Sequence, residues 1–439
     1  MFKNKRFLIT QPIIRILGGS ALVTLELAEY LTENGAKVIV YTCDYSEPAK
    51  SYFEKSGVSV LTAQENPDLK LTDFDYIWVH SQILPISIVE ALSKKLPARM
   101  PSFIFLHMSG MDWLPDEKPW IFNLENRLSS LSLFISEEVK DVNSAMTDQD
   151  VRTAFFRNPA PSTFKNLNTT PNPTLKRLLI VSNHQPIEVT KAKDILHNQY
   201  NIDVTSLGEN QEKYERFTDK ILKKYDAVLT IAKTIPYCLV AGTPVYVYDL
   251  FAGGPGWLNA ENFDEAKKRN FSGYQNSYFP NSIGGIFQKK NASQIAREVI
   301  SGYKTAVDFH QSHRSTFYND YLLENVLPKL LEKVKPRKIA QFSKSYTESI
   351  KNSELFATSK FELAQMLSTQ STSLAKTIAK ADYLKEENRL LTDERNRLAA
   401  DLQETKRNLQ KITDSKYYKI CKKLIQPYAK IKEITNRNK

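Results

Sequence analysis

Residues 6–42, RFLITQPIIRILGGSALVTLELAEYLTENGAKVIVYT, decide the fold. The stretch opens on RFLIT (residues 6–10), a short apolar run of the kind that forms a buried strand. A loop holding Gly18 and Gly19 follows. Leu22, Leu25, Leu27, Ala28 and Leu31 then recur at helical spacing, and Asn34-Gly35 supplies a stop. KVIVYT (residues 37–42) is a second apolar, β-branched run. Strand, glycine turn, helix and strand make a βαβ unit, whose strands must pair in parallel.

The pattern continues on both sides of a polar break. Strand-like runs recur at residues 58–62, 76–80, 102–107 and 133–136. Residues 158–173 are rich in Pro and Asn and read as a linker. A second cycle opens at KRLLIVS (residues 176–182) and continues through 202–206, 227–231 and 244–249. Residues 292–334 read as helical. The expected fold is therefore α/β: two tandem Rossmann-like domains, 1–160 and 174–335, followed by a helical coiled-coil segment at 336–412 and a basic amphipathic tail at 413–439. Two such domains in tandem set the carboxyl ends of two parallel sheets across a cleft, where ligands bind.

At this point a family resemblance becomes specific. GGS (residues 18–20) with ALVTLELAEYLTENGAKVIVYT is similar to the first βαβ unit of GT-B glycosyltransferases. DYIWVHSQ (75–82) and FIFLHMSG (103–110) resemble their later strands that end in His. LFISEEVK followed by FFRNPAP resembles the markers that precede the interdomain linker, and AKTIPYCLVAGTPVYVYDLFAGGPGWL resembles a donor-site block from bacterial surface-polysaccharide transferases. The resemblance covers about 330 residues. It implies a hexosyltransferase-like enzyme, metal-independent and without a cofactor, whose nucleotide-sugar donor is a substrate. The acceptor it implies is a lipid-linked, cell-wall or capsular glycan.

The same resemblance, with local chemistry, nominates site residues. Lys233 beside Thr234, an expected N-cap, would hold a diphosphate through charge and helix N–H groups. Asp249 ends an apolar strand and could accept hydrogen bonds from donor hydroxyls or cap a turn. Gly253, Gly254 and Gly256 would let backbone approach a ligand, or form a plain turn. Gly18 and Gly19 would do so in the first domain, and Asn183, with His184 and Lys191 nearby, would replace the missing Arg and Lys phosphate pair. His107 is the expected acid–base group, with Asp112 as another base and His80 a weaker alternative. Asp73-Phe74-Asp75 precedes a strand instead of following one, so it reads as a strand start and not a metal motif. One departure matters. Many retaining GT-B enzymes carry a Glu five residues before the AGTPV glycine, where this chain has Tyr237, and Ala232 stands where a Gly is expected.

Charge separates the body from its end. The net charge is +11, yet residues 336–439 hold 22 basic and 12 acidic residues, leaving 38 against 37 in residues 1–335. The body thus lacks the basic excess of a nucleic-acid binder. Leu384, Leu391, Leu398 and Ile412 share one heptad position, and Leu374, Leu402 and Leu409 its partner, interrupted by Asn388 and Arg395. A homo-oligomeric coiled coil is expected, against a lone helix packed on the body. Residues 413–439 hold 8 basic and 2 acidic residues among tyrosines and isoleucines, suited to an anionic membrane surface. Three distant cysteines, no apolar run of membrane length and no leader pattern at the amino terminus lead to an expected cytoplasmic location, peripheral at the inner face of the cell membrane. The opposing reading is a non-catalytic module of the same fold that scaffolds a polysaccharide-assembly complex.

Overall fold

The structure is a computed structural model that describes residues 1–110, 123–167, 171–209, 211–250, 253–272, 289–420 and 423. The first domain holds strands β1 (Arg6–Ile14), β2 (Lys37–Tyr45), β3 (Ser59–Thr62), β4 (Tyr76–His80), β5 (Ser102–His107), β6 (Ser129–Phe134) and β7 (Thr153–Phe155). They form one parallel sheet in the order β3-β2-β1-β4-β5-β6-β7. Its helices are α1 (Gly19–Glu33), α2 (Ala49–Ser56), α3 (Ile86–Leu92), α4 (Leu124–Leu128) and α5 (Glu137–Ser144).

The second domain holds β8 (Arg177–Val181), β9 (Asp203–Leu207), β10 (Ala227–Thr230), β11 (Val245–Asp249) and β12 (Gly253–Trp257), ordered β12-β11-β10-β8-β9. Helices α6 (Ile187–Tyr200), α7 (Asp219–Leu222), α8 (Thr234–Ala241), α9 (Phe263–Lys268), α10 (Ala292–Ser301) and α11 (Tyr303–Tyr321) accompany them. Two tandem Rossmann-like domains are the architecture that the GT-B resemblance implies.

Two elements of the fold differ from the sequence reading. GGPG is no loop: it is β12, an antiparallel edge strand against β11. Gly253 takes φ +72°, and a Cβ on Gly254 would lie 2.2 Å from the Val247 carbonyl oxygen, so the glycines serve a close backbone approach within the sheet. The second correction is the domain boundary at 335. Helix α12 (Leu323–Lys333) buries Leu323, Val326, Leu327, Leu330 and Leu331, an i, i+3, i+4, i+7, i+8 stripe, in the core of the first domain with Phe7, Trp78 and Leu133. Each such side chain contributes about 1.5–3 kcal/mol of transfer free energy. Helix α13 (Lys344–Leu355) follows it back, with Phe342 and Ile350 packed among Ile88, Val89 and Leu92.

The chain therefore crosses between domains twice, and the crossings are joined. Ala160 N–H donates to the Tyr321 carbonyl at 2.7 Å, and Leu323 N–H donates to the Ala160 carbonyl at 2.9 Å. Residues Met1–Ala379 form one compact unit and Lys380–Lys439 another. Helix α14 is assigned to Ala357–Asp414. Within the second, Leu384, Leu391, Leu398, Leu402, Leu409 and Ile412 are exposed in the single chain. Most of the basic tail lies outside the described residues. Among the described residues, no helix is long and apolar enough to cross a membrane.

Candidate functional site

Helix α1 is buried on more than one side, Leu25 and Ala28 together with Thr24 and Glu26, because the first sheet packs on one side and the second domain on the other. The glycine turn before it faces the second domain but stays open, Gly18 half-buried and Gly19 exposed. Gly18 is the N-cap, Leu17 N–H donates to the Tyr214 hydroxyl at 3.1 Å, and a Cβ on Gly19 would stand 3.7 Å from Lys233 Cβ.

Lys233 has a different partner from the expected diphosphate. Its Nζ lies 2.7 Å from Glu26 Oε2, donates to the Asn158 and Pro159 carbonyls at 3.3 and 3.0 Å, and stands 4.6 Å over the Tyr237 ring. Burial pushes the Lys233 ammonium below its usual range, with Glu26 opposing. Tyr237 donates to Glu26 Oε1 at 2.5 Å, and burial followed by that carboxylate drives its hydroxyl well upward. Arg216 adds a bidentate pair with Glu29 at 2.8 and 2.7 Å. The expected phosphate lysine is thus a buried interdomain clamp. Thr234 is the first residue of α8 and not its cap, a position that Lys233 fills. Ala232 takes φ +52°, the left-handed conformation for which a glycine was expected.

His107 ends β5 with its ring buried, 2% exposed. Its Nε2 is 2.9 Å from Oε1 of the fully buried Glu125, and it stacks on Phe134 at 5.0 Å. Burial pushes the Glu125 carboxyl up, but His107 outweighs this and leaves it below the usual range. The expected cleft-lining base is therefore part of the framework beneath residues 108–110, and Glu125 is a partner that sequence reasoning missed. His80 is a core residue too, accepting from Trp78 Nε1 at 3.1 Å and pushed down by burial to about 3. Asp112 lies outside the described residues.

Asn183 and the Asp-x-Asp residues make structural contacts at close range. Asn183 Oδ1 accepts from Glu209 N–H at 2.9 Å and ties together the loops after β8 and β9. Asp73 accepts from Lys70 N–H at 2.9 Å, and Asp75 from Arg6 N–H at 3.0 Å, so the Asp-x-Asp motif does start a strand. Glu188, near the start of α6, accepts from the Tyr248 hydroxyl at 3.0 Å. Among the described residues no three His, Cys, Asp or Glu side chains gather as a metal site.

What does meet at the strand ends is the expected Asp249 with two residues the sequence reading passed over, Glu138 and Arg269. Glu138, in the first turn of α5 after β6, has Oε1 3.9 Å from Arg269 Nη1 of the second domain. The charge of Asp249, at the end of β11, reaches it as well. Asn158 donates to Asn270 Oδ1 at 3.2 Å beside them. The first half of α14 also reaches these edges: Glu362 pairs with Arg15 at 3.2 Å and Ala379 packs on Leu250.

No family model and no curated protein matches the chain. Among solved structures, it is similar to a glycosyltransferase from Rickettsia africae, with 14% identity, 80% of this chain and 100% of that one covered, and a TM-score of 0.46. It is similar to HepE from Anabaena, solved with UDP and glucose, at 14% identity, 75% and 99% coverage and a TM-score of 0.46. It is also similar to sucrose-phosphate synthase from Thermosynechococcus elongatus, at 10% identity, 75% and 98% coverage and a TM-score of 0.42.

Proposed function

We propose that the protein is a glycosyltransferase that moves a sugar from a nucleotide-sugar donor to a lipid-linked or cell-wall glycan. The observation that carries this reading is the meeting of strand-end charges from two domains: Glu138 from the first, Arg269 and Asp249 from the second. In tandem open α/β domains, that is where a ligand sits. The donor would lie against the second domain, with Asp249 accepting from its hydroxyls, and the acceptor against the first. The test is release of a nucleoside diphosphate from a panel of nucleotide sugars, with and without an isolated glycan acceptor. Release that depends on the acceptor supports the reading; no release from any donor opposes it.

The second reading, a non-catalytic scaffold, is favoured by the Lys233–Glu26–Tyr237 clamp, which takes up two residues of the donor-like block. A nucleotide-binding titration separates the two. In either case the exposed leucine seam of α14 fits a second copy of the same helix.

A further inference from the structure

Glu137 and Glu138 are neighbours in sequence and opposites in environment. Glu137 is clasped by Arg157 in a bidentate pair of 2.8 and 2.5 Å, which outweighs burial and holds its carboxyl below the usual range. Glu138 has no such clasp. Its Oε1 is buried and accepts no hydrogen bond among the described residues, and Arg269 stands off at 3.9 Å. The charged groups that face it are Arg269 from the segment after α9, Asp141 from its own helix and Asp249 from β11. Burial is the largest influence, Arg269 opposes it, the two aspartates add to it, and the carboxyl is pushed up to about 7.

Its position is as telling as its chemistry. Val142, one helical turn on, lies on the same face of α5 and would be 3.6 Å from a Cβ on Gly110. Asn143 donates to the Ser109 carbonyl at 3.0 Å. That face of α5 thus fronts the segment following β5 in one domain and the end of β11 in the other. A buried carboxyl that serves only the fold is ordinarily hydrogen-bonded, as the fully buried Glu125 is to His107.

We propose that Glu138 is the proton acceptor for the incoming hydroxyl during glycosyl transfer, a role that rests on the donor-site reading above. The ionised carboxylate takes the acceptor's hydroxyl proton as that oxygen forms its bond to the anomeric carbon. The bond from that carbon to the diphosphate oxygen breaks, and its electron pair leaves with the diphosphate. Glu138 ends protonated and returns the proton to water. A base of this kind works best when its affinity for protons is poised near the working pH.

The test uses the full chain with Glu138→Gln and Glu138→Asp, and two readouts. Calorimetric titration with UDP between pH 5.5 and 8.5 should show wild-type affinity weakening relative to Glu138→Gln as pH rises through about 7, as a carboxylate ionises beside an anion. Turnover of the best donor should fall at least about a hundredfold in Glu138→Gln, with KM little changed and with Glu138→Asp intermediate. The wild-type kcat should decline below about pH 7, a limb absent from the residual rate of Glu138→Gln. Identical pH dependence of UDP binding in wild type and Glu138→Gln overturns the role of Glu138 and leaves the donor site standing, as does turnover of Glu138→Gln within about threefold of wild type. Absence of binding by UDP and every other nucleoside diphosphate removes the donor reading, and this proposal with it.

Discussion

Glu26 of α1 accepts a 2.5 Å hydrogen bond from Tyr237 of α8, a residue 211 positions away in the other domain. The same carboxylate pairs with Lys233 at 2.7 Å, so three buried polar side chains join the domains at one point. Taking charges out of water is costly, and removing one partner of a buried pair is costlier than the pair is worth. Lys233→Ala should therefore destabilise the protein by about 3–5 kcal/mol, read from the denaturant midpoint. Glu26→Gln combined with Lys233→Met should recover much of that loss. A Lys233→Ala protein of unchanged stability would contradict the clamp.

Acid should loosen the fold through two core histidines. Burial pushes His80 down to about 3 and His310 to about 4, the latter opposed by the Ala306 carbonyl. Both are neutral in the folded state at a pH where an unfolded histidine, near 6.5, is charged. The unfolded state then binds more protons, so stability falls as pH drops below about 6.5, by up to about 1.4 kcal/mol per pH unit for each residue. His80→Asn should reduce the slope of stability against pH between about 6 and 4. An unchanged slope would show that His80 takes no part.

The leucine seam makes an oligomer prediction. Leu391 and Leu398 are 57% and 60% exposed, one heptad apart on α14. A long helix with such a seam buries it against another helix. Sedimentation should give at least a dimer for the full chain and a monomer for Leu391→Asp with Leu398→Asp. A variant that remains dimeric moves the interface elsewhere.

Much of this architecture was legible because parallel strands, buried on both faces, read as continuous apolar runs. YIWVH and SFIFLH become β4 and β5 with the expected limits, Tyr76–His80 and Ser102–His107. β12 escaped because glycine and proline argue against a strand, and only its place at the edge, with backbone packed on Val247, makes GGPG one. The return of α12 to the first domain carried no local signal either. Its amphipathic stripe says that a face is buried, not against what. The site was less legible for the same reason. Lys233 and His107 were found as unusual residues at strand and helix ends, but their partners Glu26 and Glu125 look like ordinary helix acids. Glu138 sits in a motif read as a family marker, and only the approach of Arg269 and Asp249 from the other domain sets it apart.

A nucleotide-sugar site at the strand ends between the domains requires that the protein bind a nucleoside diphosphate. The direct measurement is calorimetric titration of the full chain with UDP, GDP, CDP, ADP and dTDP at neutral pH, repeated with Asp249→Ala. One of these should bind with a Kd below about 1 mM, worth more than about 4 kcal/mol, and Asp249→Ala should weaken binding of its sugar conjugate about tenfold. Heats no larger than dilution for all five at millimolar concentration would contradict it.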